Sequence, residues 1–276
     1  MDYSGLYVVA TPIGNLNDLS PRAVEVLSGV SLIAAEDTRN TGKLLNHLGI
    51  KKEMISYHAH NIVERSGKLI ERMQNGESVA LVSDAGTPAI SDPGEELVRI
   101  CHENGIRVTP VSGPSAVITA LSASGMPTGR FTFEGFLSTA HNSRKEHLSS
   151  LVDEKRTMVF YEAPHRLLKT LKDMAEYFGD RKVVLARELS KYYEEIITTT
   201  LFAAIEKYEQ KDPLGEFVVI VGGKPEEEII PDYDAAEQIY NDALARGLSR
   251  TDAVKEASKK TGLRKNDLYN RFANKE

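Results

Sequence analysis

The polar residues with chemical potential in this chain gather where apolar runs end. "SDAGTPAISDPG" (residues 83–94) follows one such run with two Asp, two Pro and two Gly, more restricted sequence than a plain turn requires. "AEDTRNT" (35–41) closes another and brings Glu36, Asp37 and Arg39 together. A carboxylate there can orient a ligand or take a proton, and the planar fork of Arg39 suits a phosphate. Equally, Asp37 or Thr38 can simply cap the next helix. "VATPIGN" (9–15) ends a third run with a rigid Pro12, and "VSGPSAV" (111–117) a fourth, with Ser112 and Ser115 at a helix start. His58 and His60 stand two apart in "SYHAHN", but zinc needs at least three protein ligands and no third is near. These are read as surface or substrate-facing imidazoles, and no metal is expected.

Further along, "FYEAPHR" (160–166) and "ARELSKYYEE" (186–195) carry Glu162, His165, Arg166, Arg187, Glu188 and Lys191, either as salt bridges or as part of a site. Common hydrolase and nucleotide motifs are missing. There is no Gly-x-Ser-x-Gly elbow, no His-Glu-x-x-His, no P-loop and no three-glycine dinucleotide fingerprint.

The elements that must position these loops alternate. Strand-like runs at 6–11, 32–36, 79–83 and 107–111 are separated by helical patterns at 20–27, 38–48, 61–74 and 93–104, with another at 114–124. The spacing predicts right-handed crossovers and a largely parallel sheet, whose ligands gather beyond the carboxyl ends of the strands. The Gly, Ser and Pro of "SASGMPTGR" (122–130) then mark a boundary. Beyond it, strands at 131–136, 158–161, 183–187, 196–201 and 217–221, with a helix at 164–177, predict a second α/β domain with a mixed sheet. "GGKPEEEIIPDYD" reads as a linker into an all-helical tail, in which Gly247 and Gly262 stop helices and Ser249 or Thr251 can cap.

The 276 residues carry a net charge of −6 and a single cysteine, Cys101. One cysteine excludes a disulfide within the chain and fits a reducing cytoplasm. No run approaches a membrane span, and the N-terminal residues lack the features of a secretory signal. The charge is segregated: residues 226–242 hold seven acids and no bases, while 246–275 hold nine Lys/Arg against three acids. A split of this kind can place a basic face on an acidic protein.

Taken in order, "VATPIGNLNDLSPRA", "AEDTRNT", "LVSDAGTPAISDPG", "SGPSA", "FEGFL", "YEAPHR", "ARELSK" and "GEFVVIV" resemble the tetrapyrrole methylase superfamily, and within it the branch that methylates the 2′-oxygen of cytidine in 16S ribosomal RNA. The resemblance covers essentially the whole chain. It implies an α/β protein of two domains, 1–123 and 124–228, with a cofactor cleft between them, and a linker with a helix-turn-helix-like RNA-binding tail at 229–276. It implies S-adenosylmethionine as cofactor, small-subunit ribosomal RNA or the assembled subunit as partner, and a homodimer. Carried over residue by residue, cofactor contacts fall at Pro12, Asp84, Ala85, Gly86, Ala89, Ser115, Ala116, Glu162 and Leu189. Substrate RNA contacts are expected from Asp37, Arg39, His58, His60, Lys145 and His165. Asp37, Glu162 and His165 are candidate bases, and the sequence leaves the catalytic residue open. "DAG" at 84–86 departs from the glycine-rich turn of the porphyrin-making branch. Two other readings stay open: a methyltransferase of this fold acting on a small tetrapyrrole, and a regulator that binds S-adenosylmethionine without consuming it.

Overall fold

The structure, a computed structural model, describes residues 3–225 and 232–273. Contacts divide the chain into two units, Met1–Pro225 and Glu226–Glu276.

The first unit holds two five-stranded sheets. Its elements begin β1 (Gly5–Val9), α1 (Pro21–Gly29), β2 (Leu32–Ala35), α2 (Thr38–His47), β3 (Glu53–Ser56), α3 (Ile62–Gln74), β4 (Ser78–Val82), α4 (Glu95–Glu103), β5 (Val108–Val111) and α5 (Ala116–Ser124). The first sheet has the order β3-β2-β4-β1-β5, and all its pairings are parallel, as the alternation predicts. Its faces are covered separately. Ala23, Val26, Leu27 and Leu45 of α1 and α2 pack on one side, and Leu69, Leu97 and Cys101 of α3 and α4 on the other. Strands buried on both faces read as unbroken apolar runs, which is why "LIAA" and "SVALV" show no alternation.

The second sheet is built from β6 (Phe131–Phe136), β7 (Thr157–Glu162), β8 (Lys182–Arg187), β9 (Glu195–Thr200) and β10 (Phe217–Val221), in the order β6-β7-β10-β8-β9. It is mixed: β6 and β7 are parallel and the other neighbours antiparallel. Helices α6 (His141–Ser150), α7 (Pro164–Phe178) and α8 (Leu201–Gln210) cover one face. The opposite face is covered by α5, through Val117, Ala120 and Leu121 on Val159, Val184, Ala186, Val218 and Ile220. The 122–130 stretch thus separates the two sheets along the chain, while packing joins them.

Three elements escape the sequence reading. β3 is a short edge strand with a single partner and little burial, α6 is nearly all polar, and α8 starts where a strand to residue 201 is expected. There the Thr200 hydroxyl accepts from the Ala203 N–H and turns the chain into a helix.

The second unit contains α9 (Tyr233–Ala245), α10 (Arg250–Thr261), α11 (Lys265–Leu268) and a π-helical turn (Tyr269–Ala273). Asp232 and Ser249 cap α9 and α10, and Gly262, at φ 74°, ends α10. Tyr240 stacks on Phe272 over Ala236, Ala253 and Ala257. The linker residues 226–231 lie outside the described residues. No helix among the described residues is long and apolar enough to cross a membrane.

The lobes of the first unit meet closely at Gly14. A Cβ there would stand 2.9 Å from the Leu189 carbonyl oxygen and 2.5 Å from Lys191 Cγ. Lys191 can swing away; the backbone carbonyl cannot. Gly14→Val should therefore destabilise the fold by roughly 1–3 kcal/mol, the usual cost of overpacking. Urea unfolding of both proteins checks this, and a midpoint equal to wild type would show that the contact yields without cost.

Candidate functional site: a cleft at the strand ends

The sheet order fixes where a ligand can sit. β1 and β4 are neighbours, yet β1 leads to β2 on one side and β4 to β5 on the other. Their following helices cover opposite faces. Crevices form at such a switch point because the two departing loops diverge. Here the loops are also tied together: the Thr11 N–H donates to the Gly86 carbonyl at 2.8 Å, and the Gly86 N–H returns to Thr11 at 3.0 Å. Gly86 has φ 80°, which a side chain would strain.

A cleft of about 340 Å³ opens beside this bridge. The first lobe contributes Ile13, Glu36, Asp84–Thr87, Ile90, Asp92, Ser115 and Ala116; the second contributes Phe136, Tyr161, Glu162, Leu189, Lys191 and Glu216. Most of the wall is apolar, with polar groups at a few points, the usual make-up of a small-molecule site. Backbone strain is concentrated in the two loops that flank it. Ala89 and Ser91 on one side, and Glu188 and Ser190 on the other, are the non-glycine residues with positive φ among those described. The second loop is fastened by Lys191, whose Nζ lies 2.9 Å from both Glu188 and Glu216, and by the Ser190 N–H on Glu194.

Glu162 is buried at the end of β7 although it lines the cleft. Its Oε1 accepts from the Ala163 N–H at 2.9 Å, and its Oε2 from the Thr170 hydroxyl at 2.5 Å. Arg166 adds an ion pair at 3.4 Å. Behind Thr170 the buried Arg144 donates at 3.1 Å and pairs with Asp173 at 2.6 Å. A polar group this deep is costly unless hydrogen-bonded, and these partners hold the carboxyl group in one orientation.

Asp92 differs. Burial, then the neighbouring charges of Glu36 and Asp84, push its carboxyl up to about 6, against a lowering hydrogen bond from Ser83.

The structure brings Asp84, Ala85, Gly86, Ser115, Ala116, Glu162 and Leu189 into the one cleft. Pro12 does not line it. Ile13 lines the cleft and Pro12 an adjoining cavity. Ala89 flanks the lining residue Ile90 without lining the cleft itself. None of Asp37, Arg39, His58, His60, Lys145 and His165 lines it. Asp37 caps α2 and pairs with Arg39, whose hydrogen bonds hold its carboxyl down at about 2. The rings of His58 and His60 meet edge to face at 6.0 Å, and Lys145 and His165 are exposed on α6 and α7. Among the described residues no group of three or more His, Cys, Asp or Glu is arranged to hold a metal ion. Sequence reasoning passed over Ile13, Asp92, Phe136 and Tyr161. Asp92, in the quoted "ISDPG", had a signal in its place on a strand-end loop; the two rings come from strand positions that look like core.

The raised proton affinity of Asp92 has a consequence for stability. Its carboxyl ionises near the ordinary 3.8 when unfolded and near 6 when folded, so between those values the native state holds the extra proton. Stability from this group is full below pH ~4 and declines as pH rises through about 6. Asp92→Asn should then be more stable than wild type at pH 7.5, by on the order of 1 kcal/mol after solvent screening, with the difference vanishing near pH 4. Denaturant titrations at both pH values measure it.

Comparison with known proteins agrees with this architecture. Residues 5–205 match the family model described as Tetrapyrrole (Corrin/Porphyrin) Methylases, and residues 231–273 match an RsmI C-terminal HTH domain. The proteins named Ribosomal RNA small subunit methyltransferase I from Synechocystis sp. and Pseudomonas aeruginosa are 49% and 48% identical to this chain. The first match covers 96% of this chain and 95% of the relative, the second 98% and 96%. Among solved structures, the methyltransferase CobJ aligns with a TM-score of 0.60 at 19% identity, over 80% of this chain and 94% of its own. Diphthine synthase aligns at 0.58 and 16%, over 79% and 89%. At such identities the likeness is one of fold, and it is the fold of two α/β lobes built here. The chain belongs to the tetrapyrrole methylase family and, within it, to the group of the ribosomal RNA small subunit methyltransferases I.

Proposed function

We propose that this chain is an S-adenosylmethionine-dependent methyltransferase acting on the 2′-oxygen of a cytidine ribose in small-subunit ribosomal RNA. The observation that carries the reading is near-full-length identity of almost one half to proteins named for methylation of that RNA. The cleft suits the cofactor. Gly86 leaves space for a close backbone approach, Ala85, Ala116 and Leu189 offer apolar walls, and Asp84, Ser115 and Glu162 supply polar contacts. When bound, the sulfonium supplies an electrophilic methyl group to an in-line nucleophile. The chain's residues then have three tasks: to hold the two reactants in line, to exclude water, and to receive the hydroxyl proton.

For the last task Asp92 fits best. A base near neutrality is more effective than one held at about 2, which is where the Arg39 hydrogen bonds keep Asp37. Glu162, buried and held by Ala163, Thr170 and Arg166, is fixed in place as an orienting group. The RNA reading also accounts for the tail. Lys259, Arg264 and Lys265 are exposed there, while Lys255, Lys260 and Arg246 pair with Asp252 and Glu256. A small tetrapyrrole has no use for such an appendage. A homodimer in a bacterial cytoplasm completes the proposal.

The decisive experiment supplies labelled cofactor with either free small-subunit RNA or intact subunits from cells lacking the modification, and maps the methylated nucleotide. A 2′-O-methylcytidine is expected. Label reaching neither RNA would refute the reading. In the same assay Asp92→Asn should lower kcat by about 10²-fold, within the range for a general base. The wild-type rate should rise with pH through about 6, because only the ionised carboxylate takes a proton.

The tail should add affinity, not chemistry. Phosphate contacts release counterions, so deleting 232–276 should raise the RNA Kd and flatten its dependence on salt. Calorimetric cofactor affinity should be unchanged. An unaltered salt slope in the truncated protein would remove the tail from the RNA interface.

A further inference from the structure

Next to the cleft lies a second cavity, of about 220 Å³, that shares Asp84 with it. Pro12 and Leu16 give it apolar surface, and Asn40, Lys43 and Asp84 bring polar groups. The Asn40 side-chain amide donates to Asp84 Oδ2 at 3.0 Å. Asp84 is itself placed by its backbone N–H, which donates to Glu36 at 3.2 Å, and Asn40 by its position in the first turn of α2. Neither Asn40 nor Lys43 reaches the cleft.

We infer that this second cavity seats the pyrimidine base of the acceptor nucleotide, with the Asn40–Asp84 pair reading its Watson–Crick edge. The inference rests on the proposed RNA methylation and deepens it. A base taken out of its stack needs apolar surface against its ring and hydrogen-bond groups along its edge. Cytosine presents an amino donor beside a ring-nitrogen acceptor. Asp84 retains lone pairs for the amino group, and the Asn40 amide has a second N–H to offer the ring nitrogen. Carboxylate acceptance from the cytosine amino group is a recurrent pairing. Lys43 supplies a cation for a carbonyl or a flanking phosphate. Position matters as much as chemistry. Asp84 belongs to both cavities, so a base seated in one has its ribose next to the other, where the methyl group would be delivered.

The test titrates cytidine 5′-monophosphate into the full-length protein saturated with S-adenosylhomocysteine, following the side-chain amide of Asn40 and the backbone amide of Lys43 by NMR. Both should shift, and Asn40→Leu should weaken the nucleotide at least tenfold while calorimetric cofactor affinity stays within twofold. Lys43→Ala, a surface change, should weaken it several-fold and guards against a folding defect in the first variant. With RNA, Asn40→Leu should lower kcat/KM at least tenfold. The inference is overturned if neither resonance moves, or if Asn40→Leu binds the nucleotide as wild type does. The two readings can fail separately. RNA methylated by Asn40→Leu with unchanged kcat/KM removes the base pocket and leaves the activity. A nucleotide seated at Asn40 in a protein that methylates no RNA leaves the pocket and removes the activity.

Discussion

Everything at the site depends on one apolar contact, the seating of α5 on the second sheet. Val117, Ala120 and Leu121 follow directly from the β5 loop of the first sheet, yet they bury themselves against Val159, Val184 and Ile220 of the second. At about 25 cal/mol per Å² of apolar surface removed from water, three such side chains supply several kcal/mol. That burial closes the otherwise bare face of the second sheet and sets the distance between the lobes. The Ser115 and Ala116 corner sits at the start of the same helix, so the element that joins the lobes also forms one wall of the cleft.

Polar interactions then refine what packing has placed. The second lobe invests a buried chain of Arg144, Thr170 and Glu162 in the orientation of one carboxylate. The first lobe leaves Asp92 only partly compensated among Glu36 and Asp84. Two carboxyls in one cleft are thus driven to different behaviour by their surroundings. Hydrogen bonds fix the first in orientation, while burial beside Glu36 and Asp84 makes the second keep its proton to a higher pH.

The sequence made the strand-end loops visible because their composition is locally anomalous: prolines, glycines and acids crowded behind apolar runs. The parallel first sheet and the mixed second sheet were legible for a related reason, since buried strands must be apolar throughout. What stayed hidden needed the third dimension. α6 carries almost no apolar periodicity because only Arg144 and Leu148 turn inward, and the first of these is buried by its ion pair. Pro12 and Ile13 are neighbours in the chain but belong to different cavities, a division invisible in one dimension. Phe136 and Tyr161 look like core strand residues; their rings pack at 5.4 Å on the cleft wall because the strands end there.

The Thr11–Gly86 bridge also ties a wall of one cavity to a wall of the other. Two backbone hydrogen bonds tie the loop that carries Pro12 and Ile13 to the loop that carries Asp84 and Gly86. An occupant that displaced one loop would have to strain or carry with it the other, so the bridge gives the two cavities a physical route for coupling. Whatever free energy couples them is the same in both directions. On the proposed function, a nucleotide in one cavity that tightens the hold on a methyl donor in the other must be held more tightly by that donor in return.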